Sequence, residues 1–176
     1  MDFIKKTKSW IQTFVIGLNV CPFASHPFRE DKIRYRVEES ESAEKLVETL
    51  IEELNFLQKN NSTTVETSIL IHPNVLTDFL DYNDFLSVAE AVLAEMNLAG
   101  EIQIASFHPD YQFAGEGKNV PSNYVTRSPF PMLHLLRESS VAKAIELHPN
   151  TEQIPFDNIK KLNELGLEKI IEMNQT

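Results

Sequence analysis

Between residues 33 and 107 the hydrophobic period switches from two residues to about 3.6 and back, twice over, and no other feature narrows the fold as far. Ile33, Tyr35 and Val37 alternate with Arg34 and Arg36, the period of a strand. Leu46, Val47, Leu50, Ile51, Leu54 and Leu57 then form one helical stripe, with Ser42 placed to cap it. "VETSILI", residues 65–71, reads as a second strand that ends in His72-Pro73. Asn74 is expected to cap a short helix through Leu80. Asn83 is expected to cap a longer one carrying Phe85, Ala89, Val92, Leu93 and Met96, with Gly100 as its stop. "EIQIASF" is a third strand, ending in His108-Pro109. Strands alternating with helices imply crossover units. The expected fold is α/β: a largely parallel β-α-β-α-β sheet of three to four strands packed with helices, in a single domain spanning residues 1–176.

The flanks add helices. Trp10, Ile11, Phe14, Val15 and Leu18 fall at helical spacing. Lys5, Lys6 and Lys8 ahead of "WIQTFVIGL" resemble the charged and apolar parts of a signal peptide. Gln12 and Thr13 interrupt the apolar part and no small-residue cleavage site follows, so the segment reads as an N-terminal helix of the fold. Residues 109–127 form a long irregular connection in which "NYVT" is a candidate edge strand. Ser128-Pro129 reads as the cap and first turn of a helix carrying Met132, Leu133 and Leu136, restarted at Ser139 or Ser140. A C-terminal helix from about Asp157 is checked by Gly166 and resumes to Met173.

Charge and cysteine usage exclude some functions. The formal net charge of −10 disfavours nucleic acid and anionic membrane surfaces as partners, since both are bound through Lys and Arg. No apolar run approaches the roughly 20 residues of a membrane helix. A single cysteine, Cys21, allows no intramolecular disulfide and suits a reducing, cytoplasmic compartment.

The chain nevertheless places all five arginines in two windows, residues 19–37 and 104–138. The planar fork of arginine fits carboxylates and phosphates. Two readings stand: an anion site, or pairing with nearby acids such as Glu38 or Glu138. The expected helix start at Ser128 beside Arg127 would attract an anion. At helical spacing His134, Arg137 and Glu138 would share the face opposite Met132, Leu133 and Leu136, either against a ligand or in solvent.

His72 and His108 each end a strand. Ligands of parallel crossover sheets sit at that end of the strands. Imidazoles there serve as acid–base groups, or as turn residues satisfied by a backbone carbonyl. The turn reading is preferred for His72. His108 is the stronger catalytic candidate, because Asp110, Tyr111, Asn123 and Arg127 lie in the same connection. Cys21-Pro22 has two readings as well: a small buried hydrophobe, or the cap of a short turn with a lowered thiol pKa. Cys21, His72, His108 and His134 lack close-paired ligand spacing, so no metal is expected. "GEG" at 115–117 lacks the lysine of a phosphate loop, and no cofactor is expected.

"GLNVCPFA", "ASFHPDYQFAG" and "RSPFPMLHLLRE" together resemble a family of bacterial proteins catalogued as a domain of unknown function. The resemblance runs from Trp10 to Leu165. It covers Cys21, Pro22, Phe23, His108, Pro109, Tyr111, Phe113, Arg127, Ser128, Pro129, His134 and Arg137. Thr126 stands where the family pattern often has asparagine. The resemblance implies a bacterial, cytoplasmic protein and supplies no activity.

The leading expectation is therefore a small enzyme acting on an anionic small molecule. Cys21 and His108 would be catalytic, and Tyr111, Asn123, Arg127, Ser128, His134 and Arg137 would bind substrate. The alternative is a non-catalytic small-molecule-binding or regulatory module using the same pocket. A third class, a structural partner protein covering a neighbour with residues 107–130, leaves the oligomeric state open.

Overall fold

The structure, a computed structural model, describes residues 1–148 and 150–174. The elements are, in chain order, α1 (Phe3–Trp10), a π-helical turn (Ile11–Ile16), α2 (Ser25–Arg29), β1 (Ile33–Val37), α3 (Ala43–Lys59), β2 (Thr67–Ile71), α4 (Phe79–Glu95) and β3 (Ile102–Phe107). A 3₁₀ turn (Pro121–Val125), β4 (Met132–Arg137), α5 (Glu138–Leu147), a 3₁₀ turn (Thr151–Gln153), α6 (Ile154–Leu165) and α7 (Leu167–Asn174) follow.

The sheet order is β1-β2-β4-β3. β1 and β2 are parallel, with Tyr35 opposite Ile69. β4 is antiparallel to both of its neighbours, with His134 opposite Ile69 on one side and Ala105 on the other. Three strands thus run one way and β4, wedged between the second and third, runs against them. The α/β architecture and the N- and C-terminal helices match the sequence reading.

Alternation along the strands divides the apolar residues between two faces. Leu70, Leu133, Leu135 and Ile102 meet Leu46, Leu50, Leu54 and Leu57 of α3 and Tyr82, Phe85, Ala89 and Leu93 of α4. Ile69, Ile71 and Met132 meet Trp10, Ile11, Phe14 and Val15, together with Leu162 of α6 and Ile170 of α7. The stripe around Trp10 is helical, as its spacing indicates, and continues as a π turn.

Ser42 caps α3 by accepting from the Lys45 N–H. α4 corrects the expectation of two helices capped at Asn74 and Asn83. Asp78 is the cap, accepting from the Leu80 and Asp81 N–H groups, and one helix runs on through Asn83. A carboxylate at this position satisfies two free amides and faces the positive helix end. "NYVT" is not an edge strand: most of it lies in the 3₁₀ turn.

The largest correction is β4. The sequence "SPFPMLHLLRE" was expected to start a helix at Ser128, and Met132–Arg137 is instead a strand between two others. The Ser128 hydroxyl donates to the Phe130 carbonyl at 2.6 Å and caps no helix. Pro131 disfavours a helical Phe130, and two flanking strands supply the hydrogen bonds that a buried extended segment needs. α5 begins directly at Glu138, without the restart expected at Ser139 or Ser140.

Candidate functional site

β2 and β3 end on the same rim of the sheet, and His72 and His108 follow them directly. Both side chains are fully buried on the α4 face. The Tyr82 ring lies between them, stacked on His72 at 5.8 Å and tilted against His108 at 5.1 Å. His72 Nδ1 bonds to the Val75 carbonyl at 3.0 Å, and His108 Nε2 to the Leu76 carbonyl at 3.2 Å. The two imidazoles therefore clamp consecutive carbonyls of the β2–α4 loop. Leu76 holds the left-handed φ of 56° there, which a branched-chain residue adopts only when its surroundings impose it.

The other nitrogen separates the two histidines. His108 Nδ1 accepts from the Asp110 N–H at 3.0 Å, so both ring nitrogens of His108 have backbone partners. His72 Nε2 has none. Burial lowers the pKa of His108 and pushes His72 down to about 4. The turn reading of His72 agrees with its bond to Val75.

The long connection after β3 is tied down by the residues assigned to substrate. Asn123 Oδ1 accepts from the Phe113 N–H, and its Nδ2 donates to the Gly117 and Lys118 carbonyls. Arg127 Nε donates to the Tyr111 carbonyl at 3.0 Å and Nη2 to the Lys118 carbonyl at 2.7 Å, with its guanidinium over the Tyr124 ring. Tyr111 packs its ring between Phe79 and Phe113, both at 5.1 Å. Tyr111, Asn123, Arg127 and Ser128 thus share one connection, beside His108.

Cys21 packs in the apolar cluster that also takes in Tyr124 and Val125 of this connection, on the opposite face of the sheet from the His108 ring, which packs against Tyr82 and Phe79 of α4. The N–H groups of Phe23 and Ala24 favour the Cys21 thiolate. Desolvation is the larger effect and pushes the thiol pKa up, reversing the expected lowering.

His134 and Arg137 do not share a face, because β4 is a strand. His134 points to the Trp10 side, where Nε2 meets Thr67 Oγ1 at 2.7 Å. That hydroxyl donates to the Leu135 carbonyl. Burial pushes His134 down to about 4. Arg137 is at the far end of the sheet. Its Nη2 donates to the Leu57 and Asn60 carbonyls at 2.8 and 2.6 Å, and its Nε to Val65 at 3.3 Å, which closes the end of α3. It also lines a cavity of about 310 Å³ with Gln58, Leu98, Gly100, Glu101, Ile102 and Ser139.

The arginines divide between the two readings. Arg34 binds Glu53 through two bonds of 2.8 and 2.9 Å, and Arg36 binds Glu52 at 3.4 Å. These acids are on α3 and are not the neighbours named from the sequence. Among the described residues neither Arg127 nor Arg137 has a carboxylate within ion-pair distance. No group of three His, Cys, Asp or Glu residues able to hold a metal occurs among the described residues.

A family described as a protein of unknown function, DUF1415, matches residues 2–172. The chain belongs to that family. The match covers the rim, the long connection and the Arg137 cavity alike. No curated protein and no solved structure matches this DUF1415 chain. Among its described residues no helix is long and apolar enough to cross a membrane.

Sequence reasoning missed Tyr82. Its position three residues before Phe85 and seven before Ala89 marks it as core-facing, but nothing in that spacing says that its hydroxyl reaches the sheet.

Proposed function

We propose that the chain is a non-catalytic module that binds a small anionic molecule, with Arg137 as the charged anchor. The observation that carries this reading is the Arg137 cavity. Carbonyls hold Nε and Nη2 in place, while Nη1 has no hydrogen-bond partner among the described residues. Glu66 acts on this guanidinium only at longer range. A fixed, half-buried guanidinium without a bonded acid presents a donor edge to a carboxylate or phosphate.

The surroundings support the same reading. α5 starts beside Arg137 with no side-chain cap; the Glu138 amide is taken by the carbonyl of Glu101, which lines the same cavity, and the anchor for an anion is therefore the guanidinium. The pairing of an arginine with a helix start, expected at Arg127-Ser128, occurs here one element later. The Gln58 and Ser139 side chains line the same space and supply neutral donors.

Binding is preferred over catalysis because the catalytic candidates lack the groups the chemistry needs. A general base needs a free nitrogen, and both nitrogens of His108 are bonded to backbone. A nucleophilic thiol needs a lowered pKa, and that of Cys21 is raised.

Thermal-shift titration with inorganic phosphate and with small mono- and dicarboxylates tests the reading. Saturable stabilisation is expected for at least one of them, following the logarithm of ligand over Kd. Ser139→Ala and Gln58→Ala should weaken that shift while leaving the ligand-free Tm in place. Arg137→Lys should weaken it further, because the fork is lost and the charge kept. An absence of saturable stabilisation by any of these anions, or a shift that survives all three substitutions, overturns the proposal.

A further inference from the structure

We infer that the aromatic rim beside His108 is a docking surface for an arginine-bearing segment of a partner protein. Four rings run outward from the core in contact with one another. His108 meets Phe79 at 5.5 Å, Phe79 meets Tyr111 at 5.1 Å, and Tyr111 meets Phe113 at 5.1 Å. His108 is fully buried, Phe79 and Tyr111 are half-buried, and Phe113 is 37% exposed. Leu80, next to Phe79 at the start of α4, is 70% exposed. Large apolar groups left in water on adjoining segments make a patch rather than scattered single residues.

The patch is held in shape from behind. The Tyr111 N–H donates to the His108 carbonyl, and the Tyr111 carbonyl accepts from Arg127 Nε. The Phe113 N–H donates to Asn123 Oδ1. Asn123 and Arg127 are themselves buried. Two polar side chains that the chain takes out of water in this connection thus fix the backbone that carries the exposed rings. A surface ordered before contact loses little conformational entropy on binding.

Charge identifies the occupant. Each of the two central rings follows an aspartate in the chain, Asp78-Phe79 and Asp110-Tyr111, and both carboxylates are felt at the His108 ring. Asp81 adds a third acid in the first turn of α4. Lys118 reaches Asp110 at 3.3 Å, but both side chains are more than half exposed, and a pair of that kind is too weak to bar an incoming cation. An acidic, aromatic surface suits a cation with a flat face. Guanidinium stacks on a ring while its N–H groups meet a carboxylate. The chain uses the same geometry internally: the Arg34 guanidinium lies 4.0 Å over the Phe56 ring while bonded to Glu53. A second copy is a poor occupant, because two chains of net charge −10 would bring these acids together.

Fluorescence anisotropy with a labelled peptide of alternating arginine and glycine, beside its lysine and glutamate counterparts, tests the surface. Saturable binding is expected for the arginine peptide, weaker by about fivefold for lysine and absent for glutamate. Phe113→Ala and Asp110→Asn should each weaken the arginine peptide by a similar factor, with the ligand-free Tm in place. Glu95→Gln, which removes an acid at the other end of α4, should leave the affinity unchanged. Should Phe113→Ala misfold, Asp110→Asn at an exposed carboxylate still decides. An arginine peptide that does not bind, or binds no better than lysine, overturns the inference. Equal affinity for Phe113→Ala, Asp110→Asn and Glu95→Gln also overturns it, since attraction to the net charge alone would then explain the binding. Tighter binding of the glutamate peptide does the same.

Discussion

The Tyr82 hydroxyl stands between the amide of Phe107 and the carbonyl of Met132, accepting from the first at 3.0 Å and donating to the second at 2.8 Å. These residues are register partners in β3 and β4, so a phenol on α4 braces the last pair of the ladder. Replacing Tyr82 with phenylalanine removes both of these hydrogen bonds. A loss of about 2 kcal/mol is expected, read as a lower urea midpoint at unchanged slope. An unchanged midpoint would mean that the two strands satisfy both groups without the phenol.

His72 sets an acid limit on stability. Its folded pKa is about 4, below the unfolded value of 6.5, because burial disfavours the imidazolium. Between those values the unfolded chain binds more protons than the folded one. Stability therefore falls as pH drops from 6.5 towards 4 and levels off below 4. The full loss from this one group is about 3 kcal/mol. Urea titrations between pH 7 and 4 should show the decline, and His72→Gln should remove its share of it, leaving the part that the buried His134 and His108 contribute.

Cys21 should react with iodoacetamide more slowly than a small free thiol at pH 7. Its pKa is raised by desolvation, and the alkylating species is the thiolate. Denaturation in urea should restore the ordinary rate, which a time course followed by mass spectrometry would show.

Asn123 holds the connection after β3 through bonds to Phe113, Gly117 and Lys118. Asn123→Ala should cost about 1–3 kcal/mol, since it strands buried backbone groups. Limited proteolysis should then cut first within residues 109–127, where the parent chain resists. A variant as resistant as the parent would place the restraint elsewhere, with Arg127 the remaining candidate.

The strand–helix alternation from Ile33 to Phe107 was legible because amphipathic period and burial agree along it. β4 was not. Met132, Leu133, Leu135 and Leu136 form a run too continuous to have a clear period, and such a run suits a buried strand and a buried helix equally. The Ser128-Pro129 pair tipped the reading towards a helix, although Pro131 pointed the other way. That one error put His134 and Arg137 on a common face, when alternation sends them to opposite sides of the sheet. The carbonyl partner of His72 was legible from His-Pro turn chemistry. The Tyr82 bridge was not, because a tyrosine in an amphipathic stripe looks like any other core residue.

The wedged position of β4 has a consequence for how the protein is made. β2 and β3 are not neighbours, so neither can complete its hydrogen bonding on this side until Met132–Arg137 has emerged from the ribosome. The nascent chain must carry β3 with both edges bare through the synthesis of the whole intervening connection. Assembly of the sheet is thereby deferred until β4 has been made, and a chain terminated before Pro131 would be left with two unjoined pieces of it.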